Sequence, residues 1–169
     1  MEMAVKDSLT GLYNRRYMET HLATLMEHSA NRGKAVSLMI MDIDYFKSVN
    51  DTYGHDVGDV VLKEFAKQVK KSIRGIDMAC RVGGEEFIVV FPDTEVAHAQ
   101  MIAERIRYIV ASKPFKVPAQ AGELAVTVSI GISSMVHHQD DPSSLMKRAD
   151  QALYKAKSDG RNRVVSQAA

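Results

Sequence analysis

The feature that most constrains this sequence is a nearly unbroken apolar run at residues 35–41, Ala-Val-Ser-Leu-Met-Ile-Met, which stops at Asp42 and Asp44. A strand with one face in water alternates polar and apolar residues, whereas a run without alternation belongs to a strand covered on both faces. Helices must then lie on each side of its sheet, and the flanking sequence supplies them. Helical spacing marks residues 15–28, 45–49, 56–73 and 95–111. In the third of these, Leu62, Phe65, Val69 and Ile73 fall on one stripe, leaving Lys63, Lys67, Lys70 and Lys71 for the wet side. A last helix is bounded by Asp141 as N-cap, Pro142 at its first position and Gly160 at its end, with Leu145, Ala149, Leu153 and Ala156 inward. Residues 78–82 and 87–91 read as strands around Gly83-Gly84-Glu85-Glu86, a tight β-hairpin with acidic side chains at its tip. Residues 124–132 predict another strand and 164–165 a closing edge strand. These elements make one α/β domain.

Composition narrows what that domain does. Lysine and arginine total 22 against 21 acidic residues, so a net charge of +1 provides no broad field for a polyanion, and no nucleic-acid partner is expected. Any phosphate chemistry must be local. The single cysteine, Cys80, rules out an internal disulfide and reads as a packing residue. No apolar run approaches the roughly 20 residues of a membrane span, and Met1 to Lys6 lack the apolar stretch of a signal peptide. A soluble cytoplasmic location, with no membrane partner, is the expectation.

Asp42 and Asp44 stand where the buried strand emerges, and Glu85 and Glu86 stand on a hairpin tip that can lie beside it. Four carboxylates are thereby expected to converge. Carboxylate oxygens are ligands of hard cations such as Mg²⁺, and two such ions clamp the attacking and leaving oxygens of a phosphoryl transfer. Gly83 and Gly84 suit the same purpose, since glycine lets backbone amides approach a phosphate and permits positive φ. Spacing alone leaves a second reading open, in which an Asp caps the next helix and the turn is merely solvated.

The motif identities go further. Gly83-Gly84-Glu85-Glu86-Phe87 resembles the signature of the GGDEF family of diguanylate cyclases, in its GGEEF form. Residues 7–16, Asp-Ser-Leu-Thr-Gly-Leu-Tyr-Asn-Arg-Arg, resemble that family's opening signature. Asp42-Ile43-Asp44-Tyr45-Phe46-Lys47, with Asn50-Asp51 and Gly54-His55-Asp56-Val57-Gly58-Asp59, resembles its nucleotide-binding segment. Ala149-Asp150, Ala152-Leu153-Tyr154, Ala156-Lys157 and Gly160-Arg161-Asn162 also fit, so the resemblance spans residues 7–165 of a single domain at 1–169. It implies an α/β (α+β) fold of the nucleotide-cyclase or palm-like kind, with a central, mostly antiparallel sheet of about five strands flanked by helices. Family members usually carry an N-terminal sensory or receiver module. Only six residues precede Asp7, so a fragment of a longer protein, without its regulatory domain, is expected.

By the resemblance, Asp42, Glu85 and the Ile43 carbonyl bind Mg²⁺ or Mn²⁺, two ions per GTP half-site, and Glu86 either joins them or acts as base toward the GTP 3′-hydroxyl. Asn50 and Asp59 read the guanine edge, since a carboxylate accepts from N1 and N2 hydrogens that adenine lacks. Lys157 and Arg161 hold the triphosphate, with Lys47, Gly83, Gly84 and the amides of Tyr45 and Phe46 near it. A helix continuing past Gly160 would put Lys157 and Arg161 on one face, although cations near a helix C-terminus need no ligand. Asp7, Asn14 and Arg15 read as structural clamps. Arg74-Gly75-Ile76-Asp77 resembles the family's RxxD product-inhibition site, with Arg105 as a supplementary ligand; His137 and His138 read as solvated loop residues. The implied reaction joins two GTP into cyclic di-GMP plus two pyrophosphates across a transient antiparallel homodimer, under product feedback inhibition. A silent nucleotide receptor and another nucleotidyl-transfer enzyme on a similar sheet are the rival readings.

Overall fold

The computed structural model describes residues 4–118 and 122–167. In chain order the elements are β1 (Tyr13–Asn14), α1 (Arg15–Asn31), β2 (Ser37–Ile43), α2 (Phe46–Tyr53), α3 (His55–Ser72), β3 (Met78–Arg81), β4 (Glu86–Phe91), α4 (Val96–Ser112), β5 (Phe115–Lys116), β6 (Glu123–Leu124), β7 (Val128–Ser134), α5 (Pro142–Ser158) and β8 (Val164–Gln167). Six strands form one sheet in the order β1-β3-β4-β2-β7-β8, and β5 pairs with β6 in a separate ribbon. The four inner strands are antiparallel, while β1 and β8 lie parallel to their neighbours at the edges.

β2 is central and buried on both faces, as its composition requires. Met39, Met41 and Ile43 join Phe87, Val89, Phe91, Ile130 and Ile132 against Phe65, Val69, Ile102 and Ile106 of α3 and α4. Leu38 and Ile40 join Ile88 and Val90 on the other face, against Met18, Leu22 and Met26 of α1 and Leu145, Ala149 and Leu153 of α5. Cys80 packs in this second layer, where burial pushes its thiol up to about 12, so it stays protonated and unreactive.

Local chemistry sets the ends of the helices. Asn14 caps α1 by accepting from Tyr17 N at 3.0 Å. Asp141 and Ser144 form a reciprocal capping box on α5, with Pro142 in its first turn. Gly54, at φ 90°, ends α2 and begins α3 with no intervening linker, so α2 runs four residues past the predicted 45–49.

The sheet has one strand more than the expected five, because β1 is too short to leave a sequence pattern. The predicted strand at 124–132 divides in two: residues 123–124 belong to the small ribbon and the sheet strand is Val128–Ser134. Val126 is buried in the core between them, which made the hydrophobic pattern look continuous. No helix among the described residues is long and apolar enough to cross a membrane.

α5 lies very close to β7 at Gly131. A Cβ there would stand 2.2 Å from Leu153 N and 2.3 Å from Ala149 O, both backbone atoms that cannot swing aside. Gly131→Ala is therefore expected to destabilise the fold by about 2–3 kcal/mol, read as a lower urea midpoint at unchanged m-value. An unchanged midpoint would show that α5 shifts freely.

Candidate active site

The facing residues of β2 and β4 form columns on the α1/α5 side of the sheet. Leu38 stands opposite Val90, Ile40 opposite Ile88, and then Asp42 opposite Glu86. Directly opposed residues of an antiparallel pair project to the same side with Cβ atoms about 5 Å apart, so the column that begins with apolar pairs ends in two partly buried acids. Ile43 N donates to Glu85 O at 3.4 Å, which brings Glu85 alongside the end of β2. Lys157 of α5 donates to Asp42 Oδ2 at 2.6 Å.

Burial raises the Asp42 carboxyl above its ordinary range, opposed by the Lys157 bond and charge and reinforced by Asp44. Glu86 is raised first by burial and then by the charges of Asp150 and Asp42, with Lys157 and Arg15 opposing. Asp150 is raised by burial against the same two cations. The acidic side chains are thus partly desolvated and crowd one another, the condition under which a cation is welcome.

Asp44 does not join them. It is buried, accepts from Ser129 Oγ and Thr127 Oγ1 at 2.7 Å each, and accepts from Asn162 N at 3.0 Å. The expected convergence of four carboxylates is corrected: three hydrogen-bond donors satisfy Asp44 within the fold, and it ties β2 to β7 and to the turn after α5. Among the described residues no group of three or more His, Cys, Asp or Glu gathers closely enough to hold a metal.

The hairpin turn is anchored by a residue that the sequence did not single out. Arg81 donates through Nε and Nη2 to Gly84 O at 3.1 and 2.9 Å, and through Nη1 to Asp7 at 3.2 and 3.3 Å. Asp7 also accepts from Thr10 N and Oγ1 at 2.8 and 2.7 Å. Burial pushes the Asp7 carboxyl up, but Thr10 and Arg81 outweigh it and hold it low. The expected positive φ at Gly83 and Gly84 is absent. A Cβ would fit at either, meeting only Glu86 Cβ at 3.5 Å from Gly83 and nothing within 4 Å from Gly84. The fold has no need of glycine here, and both residues are exposed.

The predicted base-reading residues sit at the α2/α3 corner. Asp59 is exposed, while the Asn50 Oδ1 is buried without a hydrogen-bond partner among the described residues. Phe46 is buried in the core, leaving its amide as the group available to a ligand, and Lys47 is exposed. Lys157 and Arg161 do not share a helix face, a second correction: α5 stops at Ser158 and Arg161 lies in the left-handed region at φ 66°. The turn nonetheless returns Arg161 to the site, where its guanidinium lies 4.8 Å from the centre of the exposed Tyr45 ring.

The family model described as "Diguanylate cyclase, GGDEF domain" matches residues 4–163. The chain belongs to this family. It is 51% identical over 169 residues to the response regulator PleD of Caulobacter vibrioides, covering all of this chain and 37% of that protein. It is 42% identical over 170 residues to diguanylate cyclase A of Treponema denticola, covering 97% of this chain and 44% of that one. The chain thus spans less than half the length of these curated relatives. Among solved structures, the GGDEF domain of DgcB from Caulobacter crescentus in complex with c-di-GMP aligns with TM-score 0.93 at 35% identity, covering 98% of this chain and 94% of that one. The active GGEEF domain of a diguanylate cyclase from Vibrio cholerae aligns with TM-score 0.84 at 38% identity, covering 90% and 96%.

In this GGDEF domain the predicted product-site pair is bonded to itself. Arg74 follows the end of α3, and its N, Nε and Nη2 donate to Asp77 at 2.7, 3.1 and 2.8 Å. Nη2 also donates to Thr94 Oγ1 at 2.5 Å. The bond and charge of Asp77 raise the Arg74 guanidinium further. Arg105 donates to Ser72 O at 2.6 Å. Arg74 and Arg105 line one cavity of about 530 Å³, with Lys71 and His98 also in its wall.

A carboxyl raised by burial contributes stability below the ordinary carboxylate range and loses it as pH rises through the raised value. Glu86→Gln, which removes the charge and keeps the shape, is therefore expected to raise the melting temperature at pH 7 by about 2–4 °C. The gain should vanish near pH 4, where the native acid is protonated. A variant that melts no higher than the parent at pH 7 would show that Glu86 carries no such burden.

Proposed function

We propose that this GGDEF domain is the catalytic part of a diguanylate cyclase, condensing two GTP into cyclic di-GMP and two pyrophosphates. The observation that carries the reading is the facing pair Asp42 and Glu86, crowded, partly buried and touched by Lys157, beneath a turn whose glycines the fold does not require. Asp42, Glu85 and the Ile43 carbonyl are the groups assigned to Mg²⁺ or Mn²⁺, two ions per half-site. Held by these groups, a divalent ion would supply positive charge to the reacting phosphate. Lys157 and Arg161 orient the triphosphate, with Lys47 and the amides of Tyr45, Phe46, Gly83 and Gly84 beside it. Asn50 and Asp59 read the guanine.

The 3′-oxygen of one GTP attacks the α-phosphorus of the other. The O–H bond and the bond to the bridging oxygen of pyrophosphate break as the new ester bond forms. Glu86 takes the hydroxyl proton or serves as a further ion ligand. A second transfer with the roles exchanged closes the ring. Each domain presents one GTP, so two copies must face each other.

Cyclic di-GMP is proposed to bind Arg74, Asp77 and Arg105 as inhibitor, since an Arg fork suits a phosphate or a guanine edge. The chain, a single domain at 1–169, is read as acting in the cytoplasm within a longer signalling protein.

Incubation with Mg²⁺ and GTP, followed by chromatography, should yield the cyclic dinucleotide, and ATP should yield none. Glu85→Gln should lower turnover at least about 100-fold with the circular dichroism spectrum unchanged, and Arg74→Ala should relieve inhibition by added product. A forced dimer should outpace the same concentration of dilute chain, because tethering raises effective concentration. Equal specific rates, undiminished synthesis by Glu85→Gln or unchanged inhibition of Arg74→Ala would each refute its part.

A further inference from the structure

Gly58 lies in the first turns of α3, where glycine is a poor helix former and no positive φ demands it. Its place is explained by what lies against it. A Cβ on Gly58 would stand 1.9 Å from Asn50 Oδ1, 3.0 Å from Asn50 Cγ and 3.1 Å from Phe46 Cζ. The Asn50 carboxamide therefore occupies the space a side chain at 58 would fill. Its oxygen is buried there with no hydrogen-bond partner among the described residues, so shape rather than bonding seats the group.

We propose that Gly58 is a positioning residue for base binding, whose missing side chain seats the Asn50 carboxamide where it meets a purine base. The inference rests on the reading of Asn50 as a guanine contact given above. An added methyl group drives the carboxamide outward into the space of the base, because the Phe46 ring behind it is packed in the core and cannot retreat. Asp59 is the next residue on the same helix, so one turn of α3 presents one base contact and positions the other. Gly58 touches no substrate; it acts through Asn50.

The test uses guanosine 5′-diphosphate and inosine 5′-diphosphate, which differ only in the 2-amino group, with binding to the full chain measured by calorimetry in Mg²⁺. The native chain should favour the guanosine ligand by at least about tenfold. Gly58→Ala should weaken guanosine diphosphate binding by about tenfold. Asn50→Ala should do the same, and the Gly58→Ala/Asn50→Ala pair should bind no more weakly than Asn50→Ala alone. Undiminished guanosine diphosphate binding by Gly58→Ala, or an equal loss from Gly58→Ala with and without Asn50, would overturn the inference and leave the proposed reaction standing. Should Gly58→Ala fail to fold, the pair decides: recovery of the fold once the carboxamide is gone supports the collision, and continued unfolding overturns it. A native chain that binds both diphosphates equally would instead remove the guanine reading and this inference with it.

Discussion

The register between β2 and β4 governs the rest of the molecule. Leu38 against Val90 and Ile40 against Ile88 fix it by burying four branched side chains beneath α1 and α5, and each buried side chain of this size contributes about 1.5–3 kcal/mol. Asp42 and Glu86 come next in the same column, so their meeting is enforced by apolar neighbours rather than by any attraction of their own. Slipping β4 by one residue against β2 would turn Glu86 to the face opposite Asp42, together with the apolar set of β4. The core thus supports a site that is, taken by itself, electrostatically unfavourable.

The cations around the two acids come from different parts of the chain. Lys157 closes on Asp42 from α5, Arg15 bears on Glu86 and Asp150 from the first turn of α1, and Arg161 arrives through a left-handed turn after α5. That turn is itself held by Asp44, which accepts from Asn162 N, while Arg107 of α4 donates to Asn162 Oδ1 at 3.0 Å. Asp44 serves the site as scaffold, two residues from an acid that serves it directly.

Much of this was legible in the sequence. The run at 35–41 announced a strand covered on both faces, and helix boundaries with strong punctuation, such as Asp141-Pro142, fell where expected. The family motif singled out Asp42 over Asp44, whereas spacing alone grouped the two acids, because the donors that claim Asp44 lie more than 80 residues away at Thr127, Ser129 and Asn162. β1 was invisible because two residues make no period. The glycines of the turn were recognised for a conformational freedom they do not use, whereas Gly58 and Gly131, needed for close approach of one element to another, carried no local signal. Arg81 looked like an ordinary strand end because one partner is a backbone carbonyl three residues on and the other, Asp7, is brought to it by the fold from 74 residues away.

Arg81 spreads its donors over the Gly84 carbonyl and the Asp7 carboxylate, and so acts as a strut between the opening segment and the active hairpin. The two cannot be displaced independently without breaking charge-assisted bonds, the stronger kind in a protein. Force or thermal agitation applied near residue 7 is in mechanical series with the loop at 83–84, and the orientation of that loop becomes a property of the chain's first residues as much as of its own sequence.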